Sequence, residues 1–135
     1  MRWKQFARWG LALFMVAAGL NHFRVPATYE AMVPSVLPRA DILVVVSGLA
    51  EIAGGLGLLH PRTRRLAAWG LIALLLAIFP ANINMAVNHL PLGNEPVPTW
   101  ALWARLPLQA VLIAWAWWVS YPSTWESTRA QSSPA

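Results

Sequence analysis

The chain has no cysteine. That absence removes disulfide cross-links, thiolate zinc sites, iron–sulfur ligation and any CxxC redox pair, so electron transfer here would need a borrowed cofactor. Charge is scarce as well: 10 Lys and Arg and 5 Asp and Glu make up 11% of 135 residues, against about 25% in soluble domains. A protein this small exposes most of its residues in water, and so few charges would leave large apolar patches facing solvent. Lipid suits the composition better. The sequence also lacks a P-loop, a dinucleotide-binding glycine pattern after a strand, and a nucleophile–base pair, which removes the usual kinase and hydrolase chemistries. The GGLG of residues 54–57 sits inside an apolar stretch and reads as helix packing.

What is abundant is apolar: 58% of the residues, with nine tryptophans. Four runs approach the roughly 20 residues that span a ~30 Å hydrocarbon core, at about residues 5–23, 42–59, 66–87 and 100–121. None alternates as a strand would, so the expected fold is all-α, an integral membrane four-helix bundle in one domain over residues 1–122. The start resembles a secretory signal but is followed by three further spans, and the first run is expected to stay in the protein, with Lys4 and Arg8 snorkelling to the interface. Residues 24–41, with Pro26, Pro34 and Pro38 among apolar neighbours, are too hydrophobic for a solvated loop and too broken to span. A proline-rich lid or re-entrant segment between the first two helices is the expectation. Residues 123–135, rich in Ser, Thr and Gln, are expected to form a flexible cytoplasmic tail.

The net charge of +5 is explained by where the cations fall. Arg2, Lys4 and Arg8 precede the first run, and Arg62, Arg64 and Arg65 join the second to the third, whereas residues 88–99 carry no Lys or Arg. The positive-inside rule then places both termini in the cytoplasm, as a multi-pass protein of a bacterial inner membrane, and nucleic acid is not needed as a partner. Trp3, Trp9, Trp69, Trp115, Trp117, Trp118 and Tyr121 fall at the inner ends of the runs and Trp100 and Trp103 at an outer end, as interfacial belts require.

The polar residues inside the runs are the informative ones. Glu51 lies near the middle of the second run, where an acid facing lipid would cost roughly 2.5–3.5 kcal/mol on insertion scales, so it must face protein. Ser47, Glu51 and Gly55 share its helical stripe, and Ala50/Gly54 and Ala53/Gly57 have small-xxx-small spacing for close helix contact. Arg105 and Gln109 lie one turn apart in the fourth run at a depth within about 6 Å of Glu51, by the 1.5 Å rise per residue, and an ion pair between Glu51 and Arg105 is expected. Pro80 and Pro107 remove hydrogen bonds from the carbonyls of Leu76 and Trp103. A pocket in the outer half follows, lined by His22, Glu51, Asn82, Arg105 and Gln109 and roofed by Tyr29. His22, His60 and His89 have no metal-ligand spacing, and no metal site is assigned.

Several of these segments look like those of a known family. GLNHF closes the first run, P-x-x-Y follows at Pro26 and Tyr29, and SGLAEIAGGLGLL, FPANINMA and RLPLQ occupy residues 47–59, 79–86 and 105–109. In these the chain resembles the DoxX family of small membrane proteins. The resemblance implies a four-helix membrane bundle. DoxX-like chains include a subunit of a thiosulfate:quinone oxidoreductase, a membrane component that accompanies a thiosulfurtransferase and a superoxide dismutase, and a receptor-assembly chaperone. They share no single reaction, and no catalytic residue carries over to this sequence.

The expected function is a membrane subunit or accessory of a redox or sulfur-stress system. His22, Tyr29, Glu51, Asn82, Arg105 and Gln109 would hold a quinone head group or a similar small polar-headed ligand. The alternative is a scaffold or assembly factor without turnover, its polar network purely structural. Besides the bilayer, redox proteins and a second copy of the chain are the expected partners.

Overall fold

A computed structural model describes residues 2–92 and 94–132. It holds six helices: α1 (Trp3–Arg24), α2 (Pro26–Met32), α3 (Ala40–Leu59), α4 (Arg64–Val87), α5 (Thr99–Ser120) and α6 (Thr124–Ser132). Among the described residues the only β pairing is an isolated bridge between Leu92 and Glu95 in the α4–α5 connection. The protein is therefore all-helical, and α3, α4 and α5 are each long and apolar enough to cross a membrane.

Four such helices were expected. At 22 residues α1 has the length, but Lys4, Arg8 and Arg24 interrupt its apolar character. Nor does Arg8 snorkel. It is 3% exposed, and its Nη1 pairs with Glu126 Oε1 at 3.5 Å. Lys4 lies over the rings of Trp118 and Tyr121, 5.7 and 6.0 Å from their centroids.

The helices pack α1 on α3 and α5, α3 on α4, and α4 on α5, while α2 touches α1, α3 and α4. Two apolar clusters mark the two ends of the molecule. One joins Leu11, Ala12 and Met15 of α1 to Leu58 of α3, Ala68, Leu71 and Ile72 of α4, and Ala116 and Val119 of α5. The other joins Met32 of α2 to Met85, Ala86 and Leu102. The early part of α1 and of α4 thus meets the late part of α3 and of α5, which fixes their antiparallel sense. Trp115, read as an interfacial anchor, also donates its Nε1–H to the Ala7 carbonyl at 3.1 Å and ties α5 to α1.

Glycines set how closely α1 and α3 approach. A Cβ on Gly19 would lie 2.6 Å from the Gly48 carbonyl oxygen, and one on Gly48 would lie 2.9 Å from His22 Cβ and 3.1 Å from the Gly19 carbonyl oxygen. Backbone therefore touches backbone, as small residues permit between membrane helices. The opposite side of α3 receives side chains of α4, with Gly54 against Leu71 and Gly57 against Ala67.

The tail expected to be flexible is helical over its described part, and residues 133–135 lie outside the described residues. Its signal was in the sequence. Ser123-x-x-Glu126 has capping-box spacing, and Glu126 Oε2 accepts from the Ser123 backbone N–H at 2.8 Å and from its hydroxyl at 2.7 Å. The same carboxylate meets Arg8 and Arg64. Burial raises its pKa, but the Ser123 hydrogen bonds and the charges of Arg64 and Arg8 outweigh that and bring it down to about 2.

Two outcomes follow. Replacing Gly48 with Leu forces α1 from α3 and should lower the stability of the detergent-solubilised protein by about 1–3 kcal/mol, read as a drop in Tm. Because the pKa of Glu126 is depressed on folding, its contribution is complete above the ordinary value of 4.5 and is lost as pH falls towards about 2. Tm measured from pH 6 down to about pH 2 should therefore fall across that window, and Glu126→Gln should flatten the fall while lowering Tm at pH 6.

Candidate functional site: a polar-sided cavity between the helices

Between the two apolar clusters lies a cavity of about 530 Å3, within the roughly 300–1,000 Å3 of small-molecule sites. Much of its wall is aliphatic or aromatic, from Phe14 and Met15 of α1, Leu75 and Ile78 of α4, and Leu108 and Leu112 of α5. Met32, Val33, Pro34 and Leu37 cover it from the α2 side. The proline-rich segment forms this cover because Pro26 starts a short helix that ends at Met32. Asn84 Nδ2 then holds it to α4 by donating to the Met32 carbonyl at 2.9 Å.

All six residues singled out from the sequence, His22, Tyr29, Glu51, Asn82, Arg105 and Gln109, line this cavity. Their pairings differ from expectation. Glu51 does not pair with Arg105; its Oε2 lies 3.6 Å from His22 Nε2. Among the described residues Arg105 has neither an ion pair nor a hydrogen bond, and it is half-buried. Helical rise matched the depths of Glu51 and Arg105 but said nothing of rotation about the helix axes. Gly48 and Gly55 of α3 face α1, and Glu51 on the same side meets His22, whereas α5 packs on α4 and α1.

The α1–α3 contact explains the His22 environment. His22 follows Gly19 by one turn and so enters where the backbones are closest. Its Nδ1 lies 3.2 Å from the Val44 carbonyl and 3.1 Å from Ser47 Oγ, and the Ser47 hydroxyl donates to the same carbonyl at 3.1 Å. A carbonyl only accepts, so Nδ1 carries a hydrogen and Nε2 is the nitrogen turned to Glu51. Ser47 was legible as part of the Glu51 stripe, but its contact with the imidazole was not. The Tyr29 ring packs on the imidazole with centroids 3.9 Å apart, and its hydroxyl accepts from Asn21 Nδ2 at 2.8 Å.

On the opposite side Gln109, 3% exposed, bridges two helices. Its Oε1 accepts from Asn82 Nδ2 at 2.7 Å, and its Nε2 donates to the Leu75 carbonyl. That carbonyl precedes the one at Leu76 that Pro80 leaves without its helical donor. Glu51, 4% exposed, is the exception to this satisfaction. Its Oε2 has no hydrogen-bond partner among the described residues, although buried polar atoms are normally paired.

Fold and site together define a helical protein whose helices, three of them long and apolar enough to cross a membrane, surround an apolar cavity that has polar groups on two sides. The chain belongs to the family described as Domain of unknown function (DUF8561), which matches residues 11–120 and so includes every cavity residue named above. No curated protein and no solved structure matches it.

The Gln109 bridge is testable by itself. Gln109→Leu strands the half-buried Asn82 amide and removes the buried donor to the Leu75 carbonyl, and should cost about 1–3 kcal/mol. Adding Asn82→Leu removes the stranded donor, so the double variant should melt no lower than Gln109→Leu, as measured by thermal unfolding in detergent.

Proposed function

We propose that the protein is a four-helix integral membrane bundle that binds a quinone-like or other small polar-headed ligand with an apolar body in this cavity. It would serve as a membrane subunit or accessory of a redox or sulfur-stress system. The observation that carries the reading is the cavity itself, apolar over most of its wall and equipped with a buried carboxylate oxygen that lacks a partner. The polar head of a ligand would lie among the polar groups of the cavity, while its body takes the place of solvent against Phe14, Ile78 and Leu112. With no cysteine in the chain, electrons would reside on the ligand or on a partner protein.

Several features support α1 as the fourth span. It lies along α3 with backbone contact at Gly19 and Gly48, its Arg8 pairs with the Glu126 carboxylate that Arg64 also meets, and Leu13 and Leu20 stand 72% and 56% exposed as lipid-facing side chains would. Arg2, Lys4 and Arg8 then share one end with Arg62, Arg64 and Arg65, an arrangement that favours cytoplasmic termini in a bacterial inner membrane. The redox assignment leans on the DoxX-like segments, among which GLNHF, SGLAEIAGGLGLL, FPANINMA and RLPLQ contribute His22, Glu51, Asn82, Arg105 and Gln109 to the cavity.

The Asn82–Gln109–Leu75 and Asn84–Met32 bonds favour a second reading, in which the network only holds helices together. A photoreactive quinone incorporated with the protein into nanodiscs separates the two. The ligand reading expects cross-links to peptides containing Phe14, Ile78 or Leu112, diminished by excess unmodified quinone. Labelling confined to the lipid-facing surface, together with full cellular function in Glu51→Gln and Arg105→Met variants of lowered Tm, would favour the scaffold.

A further inference from the structure

The charges around the cavity do not balance. Glu51, Arg105 and His22 are the lining side chains that carry or exchange charge near neutrality, with the Tyr29 phenol beside them. His22 holds a hydrogen on Nδ1 because that atom faces the Val44 carbonyl, and its Nε2 faces Glu51 Oε2 at 3.6 Å. If neither of those two atoms carried a proton, two lone pairs would face each other in a buried site, and among the described residues no other group donates to Glu51 Oε2. One proton between them removes that conflict. It makes the pair imidazolium and carboxylate or imidazole and carboxylic acid, and in both cases the pair sums to zero.

Arg105 is left over. Its guanidinium stays protonated in proteins, and it lines the cavity within an apolar helix. Asp41 is paired with Arg39, Glu126 with Arg8 and Arg64, and neither Glu30 nor Glu95 forms an ion pair, so among the described residues no carboxylate is paired with Arg105. A cation at membrane depth without a counter-ion is costly, and such residues normally pair with something.

We infer that the ligand of this cavity is an amphiphile with one negatively charged head, a carboxylate or a phosphate ester, and that Arg105 is the residue that binds that head. This rests on the reading of the cavity as a ligand site and adds the charge of the occupant. A guanidinium presents a planar fork of donors that matches two oxygens of a carboxylate or phosphate, and it is less strongly hydrated than an ammonium. Leu108 and Leu112, one and two turns along the same helix, offer apolar contact to the tail. The neutral His22–Glu51 pair sits across the cavity without repelling the head.

The experiment measures binding of dodecanoate, dodecyl phosphate, dodecanol and decylubiquinone to the full chain in phosphatidylcholine nanodiscs. The two acids should bind at least about tenfold tighter than dodecanol, the difference of one charge-assisted hydrogen bond. Arg105→Gln should abolish that preference by weakening the acids and leaving dodecanol unchanged, and Arg105→Lys should retain part of it. Phosphatidylglycerol added to the discs identifies the source: competition with dodecanoate points to an anionic bilayer lipid, no competition to a free amphiphilic acid, and both agree with the charge assignment.

Equal binding of dodecanoate and dodecanol by the unmodified protein overturns the proposal, whether or not the variants fold. So does a preference that survives Arg105→Gln. If decylubiquinone binds while acids and alcohol are not distinguished, the charge assignment fails and the ligand site stands; if none of the probes binds, both fail.

Discussion

The contact on which the rest depends is the meeting of the α1 and α3 backbones at Gly19 and Gly48. It leaves no room for side chains between the helices at that level. His22, one turn further along α1, is therefore driven against Val44, Ser47 and Glu51. A wider spacing would let a longer side chain enter and would part the imidazole from the acid. Helices in lipid gain little from hydrophobic attraction to one another, so close packing and polar contacts of this kind carry their association.

That packing also accounts for the cavity. The two apolar clusters fill the ends of the molecule, where small and medium side chains from several helices interdigitate. Between them α3 leans on α1, and α4 is tied to α5 by Gln109. Space remains between the two pairs, with polar groups on the α1–α3 side and the α4–α5 side. Nearly every polar side chain there is satisfied within its own pair of helices. What remains unsatisfied, Glu51 Oε2 and the Arg105 guanidinium, is what an incoming molecule would meet.

At the end where α1 begins and α6 lies the same rule has a different solution. Arg8 and Arg64 are almost fully buried, and neither would be tolerated there alone. α6 supplies Glu126, which reaches both guanidiniums while accepting two hydrogen bonds from Ser123. A segment whose composition argues for disorder is thus held in place by the two cations with which its Glu126 carboxylate pairs.

Much was legible in the sequence because lipid constrains composition so strongly. Apolar run length located α3, α4 and α5, and the cost of an acid in such a run required Glu51 to face protein. Depth along each helix, a one-dimensional quantity set by rise per residue, brought His22, Asn82, Arg105 and Gln109 to the same level as Glu51. Rotation about the helix axis is not one-dimensional, and the tertiary structure alone decided it: Glu51 turns to His22 and not to Arg105, and Gln109 turns to the α4 backbone. The order of α6 belongs with that second group, because the cations that hold Glu126 come from α1 and α4, more than 60 residues away along the chain.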